Sequence, residues 1–334
     1  ILFNILNDFE LFNKIKFLTN DPTDRIITPD KTIFIRKDKI DTKKELIANF
    51  PKEKRNIDSF YDFLFNYDFL YIVSKTKNLT FKEFLDSFFK DYKLKAVMSI
   101  LLGNLGLPAS RISALAAVVF YKEYIFDGGY YPQGGIQVLP DLLSKRFSEF
   151  GGELLLSTEV EKIVIKQKRA IGVNLINKKF IASNVVISNA YATLTFNKLL
   201  NYKTVKNRTF PNLEISPSAF ITYLGLKKEL NIRPSHFATW FFSSYDIEKC
   251  FSRHFKDYNH NKDLDYLLVS FPTLIDPSLT KKGKSIVRLL VGAKYLNQRL
   301  WKKQKELISQ KMIAKLNYII PDIQDYIEVK ETAG

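Results

Sequence analysis

Cysteine and histidine are scarce in this sequence, which has one cysteine, Cys250, and three histidines among 334 residues. A single cysteine cannot form an internal disulfide, and its use indicates a reducing compartment. No histidine stands in an HExxH pattern or beside a CxxC pair, so we predict no metal site. Disulfide-stapled folds and zinc enzymes are therefore disfavoured.

Motifs of conventional catalysis are also missing. The sequence contains no GxSxG, no phosphate-binding P-loop and no GxGxxG. Its nearest glycine spacing, Gly103 and Gly106, lies in an apolar helical segment and is interpreted as a helix break. The sequence therefore identifies no catalytic residue.

Long apolar runs are absent too. The best two, residues 96–102 and 112–121, are too short to span a bilayer. The net charge of +16 comes mostly from scattered lysines, whereas nucleic-acid binders concentrate basic residues on one element. We therefore predict no nucleic-acid partner. An anionic membrane surface fits the charge better, with the protein cytoplasmic or peripheral on the cytoplasmic face of a membrane.

The patterns that are present indicate an α/β protein. Residues 50–125 form a predicted helical block rich in Phe and Tyr, in which Thr80 and Glu83 make a capping box. A helix is predicted over 136–150, ended by the glycines at 151 and 152. The segments predicted to be strands are 153–157, 159–166, 170–176, 178–184, 185–190, 218–230, 265–274 and 284–293. A long amphipathic helix is predicted over 298–320.

The stretch GGYYPQGG, residues 128–135, has more glycine than a helical hairpin requires. One interpretation is two tight turns with the tyrosines as ordinary anchors. The other is that the backbone lies against a flat cofactor, because glycine has no Cβ to obstruct contact. In that case Tyr130 and Tyr131 would form walls of a cavity.

The segment from GGYYPQGG through VEKI and AIGV to VVISNA resembles the middle of the phytoene desaturase family of FAD enzymes, with its carotenoid isomerase and retinol saturase branches. That family shows Y-P-x-G-G, a helix, V-x-x-I, G-V and V-I-S-N-A in this order. NDPTDRIITPD (20–30) and SFPTLIDPSLTKKGKSIV (270–287) agree with it as well. The similarity extends in order over nearly the whole chain.

The resemblance implies a fold and a set of FAD contacts. The fold would be a partial Rossmann-like FAD-binding domain interwoven with an α+β substrate domain and the helical, aromatic-rich block. Val160 would face the adenine with its backbone. The other implied cofactor-binding residues are Gly134, Gly135, Tyr131, Pro132, Ser188 and Asn189.

The implied domain organisation has four parts. Residues 1–49 would be substrate-domain strands and linker, and 50–127 the helical block facing the substrate channel or a membrane. Residues 128–195 would be the middle of the FAD-binding domain, and 196–334 the α+β substrate-binding domain. The family's N-terminal GxGxxG and C-terminal FAD motif are not found, so the chain is expected to be a fragment that is inactive and binds FAD poorly alone.

The implied activity is hydride or electron exchange between flavin and a long polyene, by carotenoid desaturation, cis–trans isomerisation or retinoid-type saturation. The motifs are shared by these branches and specify neither the polyene nor the electron donor or acceptor. Two alternatives stay open. One is a flavin amine oxidase acting on a small amine, and the other is a cofactor-free scaffold at a membrane surface.

Overall fold

The computed structural model describes residues 2–200, 216–233, 237–256, 263–294 and 297–334, without the side chains of 254–256. The chain divides into two compact units. The larger unit contains residues 1–140 and 216–334, and the smaller unit contains residues 141–215. No helix among the described residues has both the length and the apolar character needed to cross a bilayer.

The helices cover much of the first half of the chain. In chain order the α-helices are α1 (Leu2–Asp8), α2 (Lys39–Asn49), α3 (Lys54–Asn66), α4 (Phe69–Thr76), α5 (Phe81–Phe88), α6 (Tyr92–Ile100), α7 (Ala114–Phe120), α8 (Val138–Glu149), α9 (Ala192–Leu194), α10 (Ile247–Lys256) and α11 (Gln298–Asn317). The predicted helical block and the predicted long C-terminal helix are confirmed.

The strands fall into three sheets. In chain order they are β1 (Phe17–Thr19), β2 (Asp24–Ile27), β3 (Thr32–Ile35), β4 (Tyr130–Pro132), β5 (Val160–Lys166), β6 (Arg169–Leu175), β7 (Phe180–Ala182), β8 (Ser218–Leu226), β9 (Ala238–Phe242), β10 (Tyr266–Ser270), β11 (Ser285–Ala293) and β12 (Ile327–Ala333). A seven-stranded sheet has the order β12-β8-β11-β10-β9-β2-β3, β1 pairs with β4, and β5-β6-β7 form a meander.

Pairing register fixes the two faces of the seven-stranded sheet, because neighbouring residues of a strand point to opposite faces. One row of paired residues consists of Thr222, Leu289, Val269, Thr239 and Arg25. This face packs on α11, where the Thr222 hydroxyl lies 3.5 Å from the Met312 sulfur. The adjoining row consists of Ile221, Leu290, Leu268, Trp240 and Ile26. The face of the sheet that carries this second row packs on the helical block, where Trp240 and Leu268 belong to the same buried cluster as Phe60.

The helical block is held together by stacked and edge-on aromatic rings. The Phe60 ring is 1% exposed and lies 5.3 Å from Phe89 and 5.5 Å from Phe88, centroid to centroid. The capping box predicted for α5 is confirmed, since the Thr80 hydroxyl accepts from the Glu83 N–H and the Glu83 carboxylate accepts from the Thr80 N–H. The buried phenylalanines of this block therefore form a packed core.

The smaller unit contains most of α8, from Asp141 onward, and the meander. Helix α8 ends as predicted, because Gly151 adopts a φ of +81° and the Gly152 N–H donates to the Phe147 carbonyl. Strands β5, β6 and β7 then pair antiparallel in sequence order.

Two predicted strands of the smaller unit are not formed. Residues 153–157 and 185–190 have no strand assignment, because no described segment pairs with either of them. Both segments expose large apolar side chains, with Leu156 76%, Val185 70% and Ile187 91% exposed. An apolar run alone does not make a strand, since a strand also requires a neighbour for its backbone hydrogen bonds.

Candidate functional site

The Y-P-x-G-G segment forms a tight turn on the end of β4. Strand β4 pairs with β1, so that Tyr131 lies opposite Leu18, and the Gln133 N–H donates to the Lys16 carbonyl. Pro132 is buried, and its carbonyl accepts from the Gly135 N–H at 3.0 Å. The turn is thus fixed by its own backbone and by the strand beside it.

The two glycines of the turn occupy backbone conformations that other residues rarely adopt. Gly134 has a φ of +89° and Gly135 a φ of +93°. Gly134 is exposed, but a Cβ on it would lie 3.1 Å from the Val138 side chain, and a Cβ on Gly135 would contact the Leu279 side chain at 3.4 Å. Glycine is therefore required here for conformation at both positions, and it also leaves a bare backbone surface at Gly134.

Asp276 binds this turn from a distant part of the chain. Its Oδ2 accepts from the Gly134 N–H at 2.6 Å, and its Oδ1 accepts from the N–H of Ser278 at 3.1 Å and from the Ser278 hydroxyl at 2.5 Å. The residue is 1% exposed. Burial raises the pKa of the Asp276 carboxyl. The three hydrogen bonds and the charge of Lys16 together lower it by more, so the pKa lies below its ordinary value.

Tyr131 lies beside the turn with its ring half-buried against Phe237, at 6.3 Å between ring centroids. Burial raises the pKa of its phenol, the charge of Asp276 raises it further, and Arg288 opposes both. The hydroxyl is therefore protonated at neutral pH and can donate a hydrogen bond.

Tyr130 points to the other side of the strand. Its ring lies edge-on to Phe3 at 5.0 Å and to Phe17 at 6.5 Å, and it is 43% exposed. The expectation that Tyr130 and Tyr131 share one cavity fails, because adjacent residues of an extended strand face opposite ways.

The other predicted cofactor residues belong to the smaller unit. Val160 begins β5 and pairs with Leu175 of β6. Ser188 is exposed, and its hydroxyl lies 2.8 Å from the Thr195 hydroxyl, while Asn189 is exposed beside it. These two residues lie within residues 185–190, which do not form the predicted strand.

The structure thus sorts the seven predicted cofactor residues into two groups. Tyr131, Pro132, Gly134 and Gly135 come together in one turn of the larger unit, and Val160, Ser188 and Asn189 lie in the smaller unit. Their role in holding FAD stays a prediction, as do the four domain boundaries.

Sequence reasoning did not single out Asp276 as a site residue, although it lies in a stretch used for the family resemblance. The available signal was local: an Asp directly before Pro277, with Ser278 after it, is typical of a residue that caps a short helix. The long-range hydrogen bond to Gly134 gave no sequence signal.

A pair of polar contacts between β2 and β9 also escaped the sequence analysis. The Trp240 indole N–H donates to the Asp24 carboxyl at 2.9 Å, and Arg25 Nε donates to the Thr239 hydroxyl at 3.1 Å. Burial raises the pKa of Asp24 and lowers that of Arg25 to about 10. These groups tie the first strand pair into the large sheet.

No group of metal-ligating side chains is found in the described part of the chain. His236, His260 and the side chain of His254 lie outside the described residues.

No protein-family model matches the chain, but individual relatives do. It is 27% identical over 217 residues to a prolycopene isomerase of Daucus carota, covering 62% of this chain and 33% of that protein. It is 25% identical over 249 residues to the zeta-carotene-forming phytoene desaturase of Myxococcus xanthus, covering 74% of this chain and 47% of that protein. This chain is similar to the carotenoid desaturases and isomerases. The resemblance inferred from the ordered series of motifs is confirmed, and the chain spans less than half the length of these two relatives.

Solved structures with the same fold include PF1083 of Pyrococcus furiosus, with a TM-score of 0.64, 17% identity and coverage of 99% of this chain and 71% of that one. An oxidoreductase of Methanosarcina mazei has a TM-score of 0.61, 17% identity and coverage of 99% and 72%. A putrescine oxidase has a TM-score of 0.60, 14% identity and coverage of 100% and 70%. The predicted α/β fold class is confirmed, because the chain shares its fold with these three proteins.

Proposed function

We propose that this chain is part of an FAD-dependent oxidoreductase that acts on a long polyene, by carotenoid desaturation, cis–trans isomerisation or retinoid-type saturation. The observation that carries the proposal is the similarity to a carotenoid isomerase and a carotenoid desaturase over 62% and 74% of the chain. The fold agrees with it, because one of the solved structures that share it is an oxidoreductase. In cofactor-dependent redox enzymes the cofactor carries the difficult chemical step, which agrees with the lack of catalytic motifs in this chain.

The turn at Gly134 and Gly135 fits a flat cofactor ring in one specific way. The amide of Gly134 is taken by Asp276 and that of Gly135 by Pro132, so the turn does not supply these N–H groups as donors to a cofactor. What it offers is a backbone surface without a side chain at Gly134. Tyr131 adds a protonated hydroxyl beside the turn, 3.9 Å from where a Cβ on Gly135 would lie. Bound flavin would supply the hydride or electron exchange that a polyene reaction needs.

The smaller unit would hold the adenine end. An extended strand at Val160 can present backbone groups to adenine, and β6 supports this strand through the pairing of Val160 with Leu175. The unpaired apolar segments 153–157 and 185–190 are consistent with a nucleotide-binding sheet that gains further strands in the complete protein.

A polyene assay tests this proposal. The protein would be made from its complete reading frame and incubated with prolycopene or with phytoene, and the products separated by chromatography with mass detection. Isomerisation changes retention at constant mass, desaturation removes hydrogen pairs, and saturation adds them. We expect one of these three outcomes. A flavin-loaded protein that leaves both polyenes unchanged but forms peroxide from a small amine would favour the amine oxidase alternative.

A membrane surface is part of the same proposal, because long polyenes reside in lipid. The buried phenylalanines of the helical block are core residues. An exposed apolar set lies at the start of α4, with Phe69, Leu70 and Tyr71 on the helix and Tyr67 just before it. Phe69 is 60% and Leu70 79% exposed. Lys75 lies over the Tyr71 ring on the same helix, which puts a positive charge beside the apolar surface.

Flotation with liposomes tests the membrane contact. Replacing Phe69 and Leu70 by Ser is expected to reduce co-flotation with anionic vesicles, because these side chains contribute the apolar area that would enter the headgroup region. Tyr318→Ser, at a site 81% exposed but outside the helical block, is the matched control. Equal flotation of wild type and the double variant would contradict the proposed contact.

A further inference from the structure

Asp276 lies on a segment of two short turns of 3-10 helix, Pro272–Leu274 and Pro277–Leu279. It caps the second turn through Oδ1, which accepts from the N–H and the hydroxyl of Ser278. A capping role needs only one side-chain oxygen, and a neutral Ser or Asn performs it as well. The cap therefore does not account for a carboxylate that is almost fully buried.

The second carboxylate oxygen of Asp276 explains why a carboxylate is present at this position. Oδ2 accepts from the Gly134 N–H at 2.6 Å, a contact between residues 142 positions apart. The next turn of the same segment also reaches the glycines, since Leu279 would contact a Cβ added to Gly135 at 3.4 Å. Two contacts from one segment thus meet the two glycines.

The carboxylate has the surroundings of a group that is kept ionised. It receives three hydrogen bonds, and its pKa is lowered by them and by Lys16. Hydrogen bonds to a charged acceptor are stronger than neutral ones, so the Gly134 amide is held in place more firmly than by an ordinary backbone contact.

We propose that Asp276 is a positioning residue that holds the Gly134 amide and so sets the bare backbone surface of the turn against the flavin. The inference rests on the proposed function, because it assigns to this turn the contact with the cofactor. Asp276 itself needs no contact with flavin or polyene; it acts through Gly134. Burial and, to a lesser extent, the negative charge of Asp276 raise the pKa of the neighbouring Tyr131 phenol.

The decisive variant is Asp276→Ser, which keeps an oxygen to cap the 277–279 turn but is too short to reach Gly134. Asp276→Asn is the conservative comparison, because its amide keeps one acceptor oxygen for either partner. Asp38→Ser is the matched control: Asp38 caps α2 by accepting from the N–H groups of Ile40 and Asp41, far from the turn in sequence.

The first measurement is hydrogen exchange by mass spectrometry on the protein from its complete reading frame, freed of cofactor. We expect the peptide containing residues 133–135 to exchange about ten- to a hundredfold faster in Asp276→Ser than in wild type, with Asp276→Asn between them. Peptides of the large sheet are expected to be unchanged. Asp38→Ser should leave exchange in residues 133–135 at the wild-type rate.

The second measurement is flavin affinity, titrated by absorbance and fluorescence on the same proteins. We expect about a tenfold or greater loss in Asp276→Ser, a smaller loss in Asp276→Asn and none in Asp38→Ser. Unchanged exchange at residues 133–135, or exchange raised equally throughout the protein, would overturn the inference. So would faster local exchange with full flavin affinity. A wild-type protein that binds no flavin would instead overturn the proposed function, and the exchange result would still decide whether Asp276 holds the turn.

Discussion

Replacing Gly172 by Ala should destabilise the meander of the smaller unit more than any other glycine substitution there. Gly172 lies in the middle of β6, opposite Val164 of β5 and Ala182 of β7, at a φ of +150°. A Cβ at this position would lie 2.2 Å from the Ile181 carbonyl oxygen and 2.7 Å from the Phe180 ring. The strand β7 would have to move away to accept it.

The magnitude has two parts. A residue with a side chain in this region of backbone conformation costs about 1–3 kcal/mol. Displacing β7 weakens its pairing with β6, and the loss of at least one backbone hydrogen bond adds about 1 kcal/mol to the cost. We therefore expect a loss of about 3 kcal/mol. Gly151→Ala is the control within the same unit, because Gly151 has a φ of +81° and open space where an added Cβ would lie. This variant should lose only about 1 kcal/mol of stability.

Hydrogen exchange of peptides within residues 160–182 measures the difference. A loss of about 3 kcal/mol speeds exchange through opening of the meander by roughly two orders of magnitude, and about 1 kcal/mol by roughly fivefold. Because β5 begins at Val160, the same variant should weaken flavin binding if Val160 faces the adenine. Equal exchange in the Gly172 and Gly151 variants would refute the reasoning.

Three further predictions concern the larger unit. Asp24→Asn keeps an acceptor for the indole and removes a carboxyl whose pKa is raised by burial. The wild-type carboxyl contributes stability at a pH below the pKa it has in the unfolded chain, and this contribution is lost as the pH rises through its pKa in the folded protein. The stability of Asp24→Asn relative to wild type, measured by urea unfolding, should therefore increase with pH. A stability difference that does not change with pH would contradict this prediction. Phe60→Ala should cost about 3–5 kcal/mol in urea unfolding, while Phe69→Ala, at a ring 60% exposed, should change stability by less than about 0.5 kcal/mol; similar losses would contradict the assigned core. Tyr121→Phe removes the donor to the Met98 carbonyl and should lower the midpoint of thermal unfolding by an amount equivalent to about 1 kcal/mol, whereas an unchanged midpoint would show that this hydrogen bond contributes nothing.

Local sequence signals predicted local structure well. The capping box at Thr80 and Glu83 fixed the start of α5, and the glycines after Glu149 fixed the end of α8. Each of these signals acts within a few residues, because a cap satisfies backbone groups of its own turn. Such features are therefore readable from one sequence.

Long-range features were predicted less well. The segments 153–157 and 185–190 have the apolar character of strands but no partner among the described residues, so their strand assignments failed. Asp276 was not selected because its partner, Gly134, is 142 positions away and gives no periodic signal. Only the family resemblance joined the stretches that contain these two residues.

The role of the G-V glycine also became clear only in three dimensions. The family resemblance gave Gly172 no role, whereas the structure gives it a packing reason in the close approach of the Ile181 carbonyl. A glycine within a motif can therefore be required for the packing of strands rather than for contact with a ligand.

The most direct test of the central claim is the visible absorption spectrum of the purified protein made from its complete reading frame, recorded beside this chain alone. We expect a flavin band in the protein from the complete reading frame and little or none in the chain alone, because this chain spans less than half the length of the two relatives. Release by heat and chromatography would identify the bound molecule as FAD. A folded, colourless protein from the complete reading frame would contradict the account and favour the cofactor-free scaffold.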